Sequence, residues 1–245
     1  MSGHSKWHNI KARKGKQDEA KSGLFTKYAR LITVAAREGG GDQAMNFALR
    51  LAVDKAKAIN MPKDNIERAI KRGIGELGDG TTLEEVLYEG FGPGGVAVIV
   101  DAVTDNKNRT SSDVKHLFSK YGGTLGGPGS VAWQFAKRGV VRIGQEAVIA
   151  VFSKKKDECE LALIDAGAED IRETEYGVEA YSPVERFQKV LDAVKSFGIE
   201  PDESGLEWVA RETASLDSER HAQMQSLYDA LDEHDDVRAV YTNEG

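Results

Sequence analysis

The sequence predicts an α+β multidomain protein: an N-terminal three-helix bundle followed by two α/β sandwich units, one of them ferredoxin-like (βαββαβ). Three observations carry this expectation. Residues 25–73 show helical apolar periodicity alone, a glycine-rich break follows, and short strands then alternate with helices to the end of the chain. The 245 residues, 40% hydrophobic and 30% charged, suffice for one large domain or two to three small ones.

Residues 1–20 show no clear apolar period. Phe25, Ala29, Ile32 and Ala36 recur at helical spacing until Gly39-Gly40-Gly41 ends the run. A second helix is expected over 43–59, with Phe47, Leu51 and Ala58 among its apolar positions. A third follows Pro62, where Asp64 with Glu67 three residues on resembles a capping box, and Gly73 stops it. Beyond residue 83 the period becomes that of strands. Residues 86–91 and 96–103 flank Gly92-Pro93-Gly94-Gly95 as a hairpin. Helix 108–121 and short strands at 131–135 and 140–143 come next. Helix 154–166, strands 171–174 and 178–181, helix 183–197 and strand 206–211 complete a βαββαβ order starting from Val140. Helix 217–232 and strand 237–242 are left over, and the second unit is one helix short of a two-layer sandwich. The tail is therefore expected to return to it.

Gly73, Gly75, Gly78 and Gly80 mark the expected domain joint. The resulting division is a basic arm and bundle at 1–78, a discontinuous α/β domain at 79–137 plus 213–245, and an inserted acidic ferredoxin-like domain at 138–212. The formal charge of −7 and pI near 5.4 argue, taken whole, against a nucleic-acid partner. Cut into segments, the charge says the reverse. Residues 1–78 hold 16 Lys and Arg against 8 Asp and Glu, net +8, while 79–142 balance at 7 and 7. Residues 143–245 hold 10 against 25, net −15. Such polarity suggests a nucleic-acid-facing part beside an acidic body.

No apolar run approaches the ~18 residues of a spanning helix, so no membrane is expected. The N-terminus lacks a signal-peptide core, and the single Cys159 excludes an internal disulfide or a CxxC site. The expected compartment is the cytoplasm.

The arm from Lys6 to Lys16 has five cations in eleven residues, with Trp7 and Asn9 among them. Lys6, Lys11, Arg13, Lys14 and Lys16 suit phosphate neutralisation; Trp7 either stacks on a base or packs back on the bundle, and Asn9 could contact a base edge. Lys21, Lys27 and Arg30 extend the positive field. His4 and His8 are spaced i, i+4, but two ligands do not make a metal site. In Thr104-Asp105-Asn106-Lys107-Asn108-Arg109-Thr110, turn and N-cap residues compete with a phosphate-binding reading that uses Lys107, Arg109 and the helix start. Neither this loop nor the 92–95 turn has the GK[ST] ending of a nucleotide-binding loop. His116 with Asp113, or Cys159 with its acidic neighbours, has bland roles available on helix faces. The expectation is no enzyme, no cofactor and no metal. The acidic stretch 232–236 reads as solvated surface, or as a face for a basic protein partner.

These residues closely resemble the YebC/PmpR family. The resemblance rests on Gly3-His4-Ser5-Lys6-Trp7, Asn9-Ile10-Lys11, Asn60-Met61-Pro62-Lys63-Asp64, Tyr88 to Ala97, Asn108-Arg109-Thr110 and Gly129-Ser130-Val131. It departs from the family pattern at Gln43-Ala44-Met45 and Ala12-Arg13-Lys14, neither of which removes a cation. The resemblance implies three domains and nucleic-acid-dependent regulation. The bacterial family name points to DNA and transcription. Mitochondrial relatives, translational activators of a cytochrome oxidase subunit, point to RNA or the ribosome.

Overall fold

The computed structural model describes residues 21–77 and 83–245. Helices α1 (Lys21–Gly39), α2 (Phe47–Ala58) and α3 (Lys63–Gly73) form the bundle. Its core joins Ile32, Ala35 and Ala36 to Leu49, Ala52, Val53, Ile66 and Ala69. So many alanines on the facing surfaces let the helix backbones approach closely. The approach is tightest at Gly73, where a Cβ would overlap the Thr33 carbonyl oxygen and the Ala36 side chain. Thr33 spans the same contact, its hydroxyl donating to the Ala69 carbonyl at 3.1 Å.

Two local expectations change here. Helix α2 starts at Phe47 rather than 43, because the preceding residues turn around Asp42, whose carbonyl accepts from the Met45 and Asn46 amides. Buried Asn46 caps α2: its Oδ1 accepts from the Leu49 amide (3.0 Å), and its Nδ2 donates to the Ala35 and Gly40 carbonyls. Asp64 and Glu67 form no capping box. Pro62 is the N-cap residue and has no side-chain cap bond, which places Asp64 inside the first turn, and Glu67 pairs with Lys63.

Strands β1 (Glu84–Phe91) and β2 (Ala97–Thr104) pair antiparallel across the glycine turn, with Phe91 opposite Ala97. Helix α4 (Lys107–Lys120) and a two-residue strand β3 (Thr124–Leu125), unforeseen from sequence, follow. The strand expected at 131–135 is absent; residues 132–134 form a 3₁₀ turn. The buried carboxylate of Glu89 accepts the amides of Gly129, Val131 and Ala132 at 2.7–2.8 Å, so these groups cannot join a ladder. Burial pushes the Glu89 pKa up, and these three amides outweigh it and hold it below the usual value.

Strand β4 (Phe135–Gly144) is one long strand that absorbs the one expected at 140–143. Helix α5 (Gln145–Ala150), a 3₁₀ turn and α6 (Lys156–Ala166) replace the single helix expected at 154–166. Strands β5 (Asp170–Thr174) and β6 (Gly177–Ser182), helix α7 (Phe187–Ser196) and β7 (Glu203–Ala210) complete the ferredoxin-like order. The sheet runs β5-β6-β4-β7, every adjacent pair antiparallel. Gly139 has no Cβ where the Phe187 ring packs, which marks the helix-covered face. Arg142, of opposite parity, lies on the other face and is 1% exposed. It donates to Glu179 (2.8 Å) and to both oxygens of Glu207 (2.6 and 2.9 Å).

Helix α8 (Ser218–Asp232) and strand β8 (Val237–Thr242) return to the first sheet, whose order is β3-β1-β2-β8. Helix α8 packs on α4, and Met224 fills the space beside Gly92. By contact density the described chain separates into two compact units. One holds residues 21–132 and Leu216–Val240, the other Trp133–Ser215 with Tyr241–Gly245.

Gly73→Ala should destabilise the protein by about 1–3 kcal/mol, the usual cost of overpacking, since the blocking atom is backbone. Urea denaturation measures it; an unchanged midpoint would show that α1 and α3 can separate freely.

Candidate nucleic-acid interface

Lys6, Trp7, Asn9, Lys11, Arg13, Lys14 and Lys16, with His4 and His8, lie outside the described residues. So do Gly78 and Gly80 of the expected joint. The four remaining predicted contacts, Lys27, Arg30, Lys107 and Arg109, are described, and each faces a carboxylate.

Helix α1 turns one face to the bundle and a second to the sheet. On that second face Val34 and Leu31 pack with Leu83 and Val103, and Arg37 donates to the Leu83 carbonyl at 2.5 Å. One and two turns earlier the same stripe carries Arg30 and Lys27. Lys27 pairs with Asp232 at 3.4 Å. Arg30 donates to the Asp235 carbonyl (2.7 Å) and to Oδ1 of Asp236 (2.5 Å).

Asp236 is the hub, 3% exposed. Its Oδ2 accepts from the hydroxyls of Thr110 (2.6 Å) and Thr104 (3.1 Å) and from Arg109 Nη2 (2.9 Å). Arg109 also reaches Asp105 at 2.9 Å. The turn before α4 is thus both a helix cap, with Asn106 accepting from the Arg109 amide, and a cradle for a buried carboxylate. Burial pushes the Asp236 pKa up. The Thr110 and Arg109 hydrogen bonds, the Arg30 charge and the Thr104 hydroxyl outweigh it, and the group sits at about 2 instead of 3.8. Lys107 stands apart, paired with Glu84 at 2.5 Å.

A cleft of about 450 Å³ opens beside the hub, lined by Arg30, Arg109, Asp113, His234 and the three acidic residues 233, 235 and 236. His234 accepts from the Asp236 amide through Nδ1 (3.1 Å), and its Nε2 lies 3.5 Å from Asp113. Asp113 therefore faces His234, while His116 is exposed. Among the described residues no group of three His, Cys, Asp or Glu is placed to hold a metal. Cys159 is buried and burial pushes its thiol up, away from the thiolate that reactivity needs.

Sequence reasoning missed two things. It read 232–236 as surface, whereas the stretch neutralises the cations nominated for phosphate. It also passed over Arg68, Lys71 and Arg72, exposed on α3. Their i, i+3, i+4 spacing opposite Ile66 and Ala69 was the available signal.

Family models match two stretches. One, described as the TACO1/YebC protein N-terminal domain, matches residues 5–76; the other, the TACO1/YebC second and third domain, matches 83–244. Similar relatives carry the name probable transcriptional regulatory protein. That of Fusobacterium nucleatum is 47% identical over 244 residues, covering 99% of this chain and 95% of its own. That of Thermotoga maritima is 46% identical over 243 residues, covering 99% and 93%. A crystal structure of a conserved hypothetical protein from Aquifex aeolicus aligns with a TM-score of 0.84 at 39% identity, over 94% of this chain and 93% of that one.

Because the Asp236 pKa is depressed, its contribution to stability is present above pH 3.8 and is lost as pH falls toward 2. Asp236→Asn should cost at least about 2 kcal/mol at neutral pH. The gap between variant and parent in denaturation midpoint should close between pH 4 and pH 2; a gap independent of pH would show that the charge of Asp236 is not what stabilises.

Proposed function

This chain belongs to the TACO1/YebC family, and from that membership we propose that it is a non-enzymatic regulator of gene expression that binds nucleic acid, acting on DNA in transcription. The observation that supports this most is the charge polarity, +8 over residues 1–78 against −15 over 143–245. A cationic segment neutralises phosphates and releases counterions, while an acidic body repels the same polymer and so orients it. The names of the relatives support the regulatory role. No helix among the described residues is long and apolar enough to cross a membrane.

In this reading Lys6, Lys11, Arg13, Lys14 and Lys16 neutralise phosphates, and Trp7 and Asn9 contact bases. The protein works in the cytoplasm through three domains: the bundle, the α/β domain and the ferredoxin-like domain. The acidic C-terminal half is the face for a basic protein partner.

Reversing the charge at Lys11, Arg13 and Lys14 together should weaken nucleic-acid binding and flatten its dependence on salt. The log–log slope should fall by about 0.9 for each duplex phosphate that the variant no longer neutralises. Unchanged binding would remove the arm as the phosphate-binding surface. In-cell crosslinking with sequencing of the bound nucleic acid separates the targets: promoter DNA supports the transcriptional reading, and recovery dominated by ribosomal RNA would replace it with a translational one.

A further inference from the structure

We propose that the outer face of α3 is a second phosphate-binding surface, with Arg68 and Lys71 as its backbone contacts. The inference rests on the nucleic-acid reading above and moves the phosphate contacts of the described chain away from Lys27, Arg30 and Arg109.

The helix geometry sets the surface. Ile66, Ala69 and Gly73 form the buried stripe of α3, and at 100° per residue Arg68 and Lys71 project from the opposite side. Both are exposed. Three positions apart, their Cβ atoms are about 5–6 Å from each other, so both can face one strand. Arg72 is exposed on the flank of the same face.

The state of the other cations decides between candidates. Lys57 pairs with Asp54, Lys63 with Glu67, and Lys27 with Asp232; Arg30 and Arg109 share Asp236. Arg30 would have to leave a buried carboxylate before meeting a phosphate, which strips Oδ1 of Asp236 of its guanidinium partner. Arg68 and Lys71 form no ion pair among the described residues, so a phosphate replaces only water and counterions around them. Release of those counterions is what drives such binding.

The same face also sets the manner of contact. A helix that reads bases in the major groove presents its N-terminal residues to the base edges. The exposed positions in the first turns of α3 are Lys63, Asp64 and Glu67; Lys63 is paired with Glu67, and the acidic excess that Asp64 leaves there repels phosphate and confines the strand to the C-terminal half. Helix α3 therefore grips the phosphodiester backbone and fixes register, without reading sequence.

The test measures binding of the full chain to mixed-sequence duplex DNA and to mixed-sequence single-stranded RNA across a salt series. The double variant Arg68→Gln, Lys71→Gln should bind more weakly by on the order of tenfold, and its log–log salt slope should fall by about 1.8 on duplex or about 1.4 on single strands. Its thermal unfolding should match that of the parent, since both side chains are exposed. Arg30→Gln should leave the slope unchanged and lower the unfolding temperature. A parent chain that binds neither polymer overturns the proposed function and this surface with it. A parent that binds while Arg68→Gln, Lys71→Gln keeps the full slope overturns the α3 surface alone. A reduced slope in Arg30→Gln but not in the α3 variant would return the phosphate site to α1. A drop of about 1.8 on duplex with the single-strand slope unchanged assigns the backbone to DNA, and a drop of about 1.4 on single strands with the duplex slope unchanged assigns it to RNA.

Discussion

The carboxylate of Asp236 is the constraint around which the bundle-containing unit is arranged. A buried anion is tolerable only if every lone pair is met, and here the partners come from three separate elements: Arg30 of α1, Thr104 at the end of β2, and Arg109 and Thr110 of α4. Its own carbonyl accepts from the Val103 amide at 2.7 Å, one residue before β8 begins. Fixing Asp236 thus fixes where β8 joins β2 and which side of α1 meets the sheet. The apolar contact of Val34 and Leu31 with Leu83 and Val103 lies directly beside it. Hydrophobic burial supplies the attraction there, and the ion pairs select one orientation of α1 among those an apolar stripe would allow.

Two other buried charges are satisfied by different means. Glu89 takes three backbone amides of one loop, so its negative charge shapes a connection instead of joining helices. Arg142 sits opposite Glu179 on β6 and Glu203 on β7. Its guanidinium bridges β4 to both neighbours, with Tyr181 donating to the second oxygen of Glu179 at 2.6 Å. A one-residue slip of β4 would turn Arg142 toward the face where Phe187 packs, which the desolvation of an unpaired guanidinium forbids. Burial opposes that charge, yet the flanking carboxylates raise the Arg142 pKa well above its ordinary value. The register of the ferredoxin-like sheet is therefore specified by charge as well as by apolar alternation.

Much of the fold was legible where the signals are local. The α1 periodicity ended by Gly39, the hairpin around Gly92–Gly95 and the βαββαβ order all follow from neighbours in sequence. The misreadings share a cause: a distant group claims a backbone that local pattern assigns elsewhere. The turn at Asp42 delays α2 and is held by the Asn46 side chain, which donates to the Ala35 and Gly40 carbonyls, and the amides of Gly129, Val131 and Ala132 go to Glu89, some forty residues earlier in the chain. The charge network was the least legible part. Arg30 and Asp236 are 206 positions apart, and composition alone gives a run of acids the look of solvated surface. Only the topology that brings the α8–β8 connection beside α1 reveals that Lys27, Arg30 and Arg109 are already occupied.

The pairing changes what the net charges mean. Of the +8 on residues 1–78, the share on Lys27 and Arg30 answers the acidic segment 232–236, so it holds the fold together and is not available to a polyanion. Of the described cations in that segment, Arg68 and Lys71 on α3 are exposed and form no ion pair among the described residues. These two populations respond differently to ionic strength. Ions screen exposed charges beyond a Debye length of about 8 Å at physiological salt, and buried pairs much less. Arg68 and Lys71 are fully within reach of salt, whereas the Asp236 cluster is shielded from it. Under the proposed α3 contact, rising salt would release a phosphate polymer while the ion pairs that orient the helices stay intact. The separation requires that the cations nearest the fold's charged hub be the ones withheld from the ligand.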